Sequence, residues 1–331
     1  MMDMEKNTVL QIKGLKAGYE IKSGFVGAVD DVSFSLEKGE FLGIAGESGC
    51  GKSTLAYAIM NLMRDNGCIK SGTVQLKNVE ISALTSIEMK KIRWLDLSMV
   101  FQSAMNALNP VLKIGEQLTD AMFAHQNISR EQAEKRAKEV LELVDISSER
   151  YEAYPHQLSG GMKQRVMIAM ALILQPDLII MDEPTTALDV VVQRTIIEKI
   201  QELQKQFDFS VIFITHDLSL LVEISDKLAI MYAGKIIEFG NAKEVFDDPL
   251  HPYTEGLMAS FPALTGPIKR MGGIEGKPPD LLNPPEGCRF APRCQKATDI
   301  CRKEYPEEYI KNANHKVSCH LFDSKMSDNH E

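Results

Sequence analysis

The amino-acid sequence predicts an α/β fold: one large α/β domain with a helical insertion, followed by a loop-rich C-terminal module. Three observations predict it. Short alternating apolar runs within residues 8–45 ("TVLQIKGL", "DVSFSL", "EFLGIAG") read as strands. Continuous apolar runs at "DLIIMD" (177–182) and "SVIFIT" (210–215) read as strands of a parallel sheet covered on both faces. Helical patterns dominate from about 86 to 175, and beyond about 250 the composition shifts to Pro, Gly and scattered charge.

Taken in order, "KSTLAYAIMNLM" follows the first strands with helical spacing, and "GTVQLKNVEI" (72–81) returns to a strand. The clearest helix is "SREQAEKRAKEVLELVDI". It places Ala133, Ala137, Val140, Leu141 and Val144 on one face, with Ser129 and Gln132 spaced as a capping box. Its charges, such as Glu131 with Lys135 and Glu134 with Lys138, form a solvated face. "VMIAMALIL" (166–174) fits a buried helix, and "LAIMYAGKIIEFG" (228–240) a hairpin turning at Ala233-Gly234. The sequence contains no internal repeat and no low-complexity tract.

A length of 331 residues suits one large domain plus an appendage, and 44% hydrophobic content allows a sizeable core. The formal net charge of −9 argues against nucleic acid, or an anionic lipid surface, as the main partner. No apolar run reaches the roughly 18 residues of a membrane-spanning helix. The N-terminus "MMDMEKNTVLQIKG" lacks the basic region and apolar core of a secretory signal, so a cytosolic chain with reduced thiols is expected. Of the six cysteines, Cys50 and Cys68 are isolated and read as buried small hydrophobes. Cys288, Cys294, Cys301 and Cys319 gather in the tail and read as ligands rather than disulfide partners.

Three stretches carry phosphate chemistry. "GESGCGKST" (46–54) matches G-x-x-x-x-G-K-[ST] between a strand and a helix. Gly46, Gly49 and Gly51 let backbone N–H groups curl round phosphate oxygens, Lys52 reaches the β- and γ-phosphates, and Ser53 can ligate Mg²⁺. "LIIMDEP" (178–184) delivers Asp182 to the carboxyl edge of a sheet, where it can hold Mg²⁺, with Glu183 next to it to polarise an attacking water. "LSGGMKQR" (158–165) offers Ser159 and two glycines at a helix start, a second anion cradle in the same chain. One ATP cannot use both, and pairing of two chains would resolve this.

In order and spacing these motifs resemble the ATP-binding cassette family of transporter ATPases, over about residues 8–250. Gln102 in "MVFQSAMNALNP", Asp189 in "TALD" and His216 in "FITHD" stand at further family positions. The resemblance implies a P-loop NTPase (RecA-like) core with an antiparallel β subdomain and a helical subdomain at about 103–170. It also implies ATP and Mg²⁺, with two cassettes paired head to tail around two ATPs. Gly46, Glu47, Ser48, Gly49, Cys50, Gly51, Lys52, Ser53 and Thr54 would then hold nucleotide, and Tyr19 would stack on adenine. Ser53, Gln102 and Asp182 would serve Mg²⁺, with Gln102 contacting the ion or the attacking water as a catalytic residue that moves with the transporter. Glu183 would be the general base, with His216 positioning the γ-phosphate and water. Ser159, Gly160 and Gly161 would cap the partner's γ-phosphate, and Asp189 would link the two sites. Met162, where the family most often has Gln, and Thr186, where Ser is common, depart from the pattern without removing a phosphate ligand or the base.

The tail cysteines have five, six and seventeen residues between them, so no pair has the spacing of a zinc knuckle. Four thiolates suit an iron–sulfur cluster as well as zinc on ligand chemistry alone. "DDPLHPYTEGLM" (247–258), a Pro-rich run and "EGCRFAPRC" resemble the C-terminal extension of the oligopeptide/dipeptide permease ATPases, some of which carry a four-cysteine [4Fe–4S] cluster there. This resemblance implies a cassette over 1–250 and an extension over 251–331 stapled by a cluster on Cys288, Cys294, Cys301 and Cys319. The chain would be the motor subunit of a peptide importer, peripheral on the cytoplasmic face of the cell membrane. Its partners would be a second ATPase subunit (a sister chain, or a second copy of this one), two membrane permease subunits and, indirectly, an extracytoplasmic solute-binding protein. Similar systems carry nickel, glutathione or oligosaccharides. Soluble cassette proteins of translation or DNA repair bring two cassettes or a long coiled coil, and neither is present. A nucleic-acid-binding tail fits worse, because Arg289, Arg293, Lys296, Arg302 and Lys303 mix with Glu304, Glu307 and Glu308 as on a solvated face.

Overall fold

The computed structural model describes residues 7–102, 107–185, 188–259 and 274–322. The chain divides into two compact units between which it passes several times. One comprises the chain up to Leu10, Ser35–Glu40 and Leu76–Phe213; the other comprises Gln11–Phe34, Phe41–Gln75 and the chain from Ile214 onward.

In the first unit the strands Leu97–Val100, Leu178–Asp182 and Ser210–Ile214 lie with Leu178–Asp182 in the middle. Every residue in them is buried, which is why the latter two read as continuous apolar runs. Leu97–Val100 and Leu178–Asp182 pair in parallel, Leu97 opposite Leu178 and Val100 opposite Met181. Leu97–Val100 was hidden in the sequence: four residues flanked by helical patterns carry too little periodicity to stand out. The helices Ile114–His125, Arg130–Leu143 and Gly160–Leu172 lie in the same unit. Ser129 and Gln132 form the capping box of Arg130–Leu143, and Ala133, Ala137, Val140 and Leu141 form its buried face. Gly160–Leu172 is buried on most sides, and Ser98 Oγ fixes its C-terminal end by donating to the Ala171 carbonyl at 2.9 Å.

The second unit contains two sheets. The long strands Thr8–Ile21, Gly24–Glu37 and Gly67–Leu76 form most of one, with Thr8–Ile21 between the other two. The third strand starts five residues earlier than the sequence suggested (at Gly67), and it stops before Lys77, which turns the chain at φ +51°. In the other sheet Phe41–Ala45 pairs in parallel with Lys227–Tyr232, which turns back through Ala233 and Gly234, both at positive φ, into Lys235–Asn241. The tail then extends this sheet. His315–Ser318 pairs antiparallel with Lys235–Asn241, and Glu308–Asn312 pairs with His315–Ser318. Glu308–Asn312 is exposed along its whole length and shows no alternation, which concealed this hairpin.

A register shift after Ile236 turns Glu238 inward, where it is 1% exposed. Its carboxylate accepts from the backbone N–H groups of Leu250 (2.8 Å) and His251 (2.9 Å) and lies 2.8 Å from His315 Nε2. One buried side chain thus fixes the start of the helix Pro252–Ala259 and the end of the tail hairpin. Among the described residues no helix is long and apolar enough to cross a membrane.

Candidate nucleotide site and cysteine cavity

The buried strand Phe41–Ala45 runs into Gly46, and the helix Lys52–Ile59 leaves from Gly51. Both glycines are required. A Cβ at Gly46 would lie 2.2 Å from the Met231 carbonyl oxygen, and one at Gly51 1.9 Å from that of Ala28, while both have positive φ. The loop therefore has one shape, with its backbone N–H groups and the helix N-terminus at its mouth. Lys52 is buried along the loop, its ammonium donating to the carbonyls of Gly46 (2.7 Å) and Glu47 (3.0 Å). Burial raises the pKa of the Cys50 thiol, so it is an inert small apolar residue; Cys68 is only half-buried. Ser48 and Gly49 are exposed, Ser53 is half-buried, and buried Thr54 lies 3.4 Å (Oγ1) from the Tyr19 hydroxyl.

In the other unit the parallel register brings two strand ends side by side. Asp182, wholly buried, ends Leu178–Asp182, and Gln102 follows Leu97–Val100. Glu183 is at φ +46°, a backbone conformation that costs a non-glycine residue roughly 1–3 kcal/mol and tends to occur at functional sites. Gln102 Nε2 donates to Glu183 Oε2 at 2.7 Å.

The same unit holds the second cradle. Ser159 is exposed and caps the helix Gly160–Leu172, its hydroxyl accepting from the Met162 N–H at 3.3 Å. Asp189 is exposed and caps Val190–Phe207, accepting from the Val192 N–H at 3.0 Å. The two helix starts are neighbours, since a Cβ on Gly161 would lie 2.8 Å from Val192 Cγ1. Val190 and Val191, beside Asp189, are 80% and 75% exposed. His216, which belongs to the second unit, is also exposed and follows the strand Ser210–Ile214 by two residues. Thr186 lies outside the described residues.

The four tail cysteines are all free thiols and line one small cavity together with His251, Phe290 and His320. Burial, reinforced by the neighbouring thiols, pushes Cys288 up to about 11 and Cys319 up to about 12. His251 is 1% exposed, its pKa is held down to about 3 by burial, and its Nε2 has no hydrogen-bond partner among the described residues. Among the described residues no three His, Cys, Asp or Glu side chains stand close enough together for a single metal ion.

Two tail residues overturn the expectation of a solvated face. Arg289 is 7% exposed, bonded to Asp30 and to the Ala233 carbonyl. The Arg293 side chain is 5% exposed and bonded to Glu47 of the phosphate loop. A row of mixed charge in sequence does not show partners some 250 residues away.

Comparison with known proteins matches residues 29–186 to the family described as ABC transporter, and residues 237–301 to the oligopeptide/dipeptide transporter C-terminal region. The dipeptide transport ATP-binding protein DppD of Bacillus subtilis is 46% identical over 97% of this chain and 96% of its own length. The oligopeptide transport ATP-binding protein OppD of Escherichia coli is 44% identical over 93% of this chain and 92% of its own length. Among solved structures, a dimeric post-hydrolysis state of the ATP-binding cassette MJ0796 bound to ADP and Pi superposes with a TM-score of 0.64. It is 29% identical and covers 70% of this chain and 98% of that one.

Proposed function

This chain belongs to the ABC transporter ATPases of the oligopeptide/dipeptide transport family, and from that membership we infer that it is the ATP-binding, ATP-hydrolysing subunit of an importer of di- and oligopeptides. The observation that carries the hydrolytic reading is the Gln102–Glu183 hydrogen bond at 2.7 Å, beside buried Asp182. It holds the carboxylate that would take a proton from the attacking water. In this reading residues 46–54 cradle the phosphates, Lys52 turning from its loop carbonyls to the β- and γ-phosphates. Tyr19 faces the base, and His216 orients the γ-phosphate and water. Ser53, Gln102 and Asp182 supply the hard oxygen donors that suit Mg²⁺, which would neutralise charge on the phosphates.

Two cradles in one chain support a head-to-tail pair. Ser159, Gly160 and Gly161 of one subunit cap the γ-phosphate held by the other, and Asp189 couples the sites. The exposed Val190 and Val191 beside Asp189 favour this, because bare apolar side chains at a helix start gain from being covered. We take residues 1–250 as the cassette and 251–331 as an extension. The second ATPase subunit would be a sister chain, and the pair would sit on two membrane permease subunits at the cytoplasmic face, fed by an extracytoplasmic binding protein.

The four tail cysteines are read as ligands of a [4Fe–4S] cluster, which when bound would cross-link the segments carrying them. Two features support this. The four thiols line one cavity, and the buried His251 Nε2 is available to donate to a sulfide or thiolate there. Thiols with pKa values this high bind metal only by releasing protons.

Uptake of labelled di- and oligopeptides by cells lacking this chain tests the assignment. Restoration by the wild type but not by Glu183→Gln is expected; unimpaired uptake without the chain would contradict it.

A further inference from the structure

Glu47, the second residue of the phosphate loop, is held at three points, two of them by the tail. Its backbone N–H donates to the Tyr253 hydroxyl at 2.9 Å. Its carboxylate receives both terminal nitrogens of Arg293, at 2.8 and 2.9 Å, the two-pronged geometry in which an arginine–carboxylate pair is strongest. Its carbonyl receives Lys52 at 3.0 Å.

The two tail residues are themselves rigidly mounted. Tyr253 is fully buried, and its ring packs on Tyr232 and Phe290 with centroids 4.6 and 5.4 Å apart. Arg293 lies over the rings of Tyr232 and Phe290, at 5.7 and 5.9 Å. It also donates to the carbonyls of Ile274 (3.1 Å) and Glu275 (2.8 Å) and to the Tyr232 hydroxyl (3.3 Å). Phe290 and Cys294, on either side of Arg293 in sequence, line the cysteine cavity.

We propose that Tyr253 and Arg293 are positioning residues of the ATP site, which fix the phosphate loop through Glu47 and so set ATP affinity. The proposal rests on reading Gly46–Thr54 as the ATP loop. When Lys52 turns to a phosphate it leaves the carbonyls of Gly46 and Glu47, and the loop loses its internal tie. Tyr253 and Arg293 then keep residue 47 in place, so the loop is already shaped when ATP arrives and little ordering is left for binding to bear. The tail thereby supplies part of the nucleotide site without touching nucleotide.

The test compares full-length wild type with Tyr253→Phe, Arg293→Gln, Glu47→Gln and the Arg293→Gln/Glu47→Gln double variant. ATP dissociation constants are measured in the Glu183→Gln background, and KM and kcat without it. Loss of one buried hydrogen bond to the loop should raise Kd and KM for ATP about five- to tenfold with kcat within about twofold. The double variant should be no worse than the weaker single one, because both remove the same pair. Tyr253→Phe removes one oxygen and decides the matter if Arg293→Gln fails to fold. Unchanged ATP affinity in a folded Tyr253→Phe, or a fall in kcat with unchanged KM, would overturn the inference. Wild-type protein that binds ATP no better than Lys52→Ala would instead overturn the reading of the loop, and the inference with it.

Discussion

Gln102 donates a 2.7 Å hydrogen bond to Glu183 across 81 positions of sequence, because the strands that precede them run parallel with Val100 opposite Met181. The bond ties the glutamate, held at positive φ, to a residue on a neighbouring segment. Movement of the Gln102 segment is therefore felt at the carboxylate.

Gln102→Ala should lower kcat for ATP about tenfold while leaving KM nearly unchanged, since it removes one hydrogen bond to the carboxylate and keeps the carboxylate itself. Steady-state ATPase kinetics check this. A variant with wild-type kcat would show that the hydrogen bond has no part in turnover.

Ser159→Arg places a bulky cation at the exposed start of Gly160–Leu172 and removes the cap to Met162 N–H. ATP binding to the isolated chain should persist, with about 1 kcal/mol of stability lost with the cap. ATP-dependent dimerisation, read by light scattering in the Glu183→Gln background, should disappear. Ser159→Ala separates the two effects, losing the cap but adding no bulk.

Asp30 sits among Arg289, Lys235 at 3.3 Å and Lys16 at 3.2 Å. Burial, the largest single influence, would raise its carboxyl pKa, but Lys235, Arg289 and Lys16 together outweigh it and hold the group below its ordinary value. A lowered folded-state pKa means stability that is present above the unfolded pKa of about 4 and is lost as pH falls through it toward the folded value. Asp30→Asn leaves Arg289 buried beside Lys235 without a counter-charge and should cost about 3 kcal/mol at pH 7 by urea unfolding. The gap between variant and wild type should narrow below pH about 4.

Protein purified without oxygen should contain about four iron and four sulfide per chain, lost in Cys294→Ser. Reconstitution of the stripped protein should go further at pH 8.5 than at 6.5, because the Cys288 and Cys319 thiols, at about 11 and about 12, must give up protons to bind. Zinc in place of iron would refute the cluster and leave the ATPase reading as it stands.

Much of the candidate site's geometry was legible because it is local in sequence. The loop from Gly46 to Thr54, the Asp182–Glu183 strand end and the Ser159 helix start each carry their geometry within about ten residues. The Ser129 capping box and the Ala233-Gly234 turn were legible for the same reason. What escaped was set by distance or brevity. Leu97–Val100 is four residues long, and it is the strand that brings Gln102 to Glu183. The tail hairpin shows its pattern only once paired with Lys235–Asn241. Arg293 and Glu47 are 246 positions apart, and nothing near either one points to the other.

The most direct test of the account compares ATP binding and turnover in Glu183→Gln with wild type. The variant should bind ATP at least as tightly, hydrolyse it at least about a hundredfold more slowly, and accumulate as an ATP-bound dimer. Hydrolysis at the wild-type rate would contradict the role of Glu183 and the mechanism built on it.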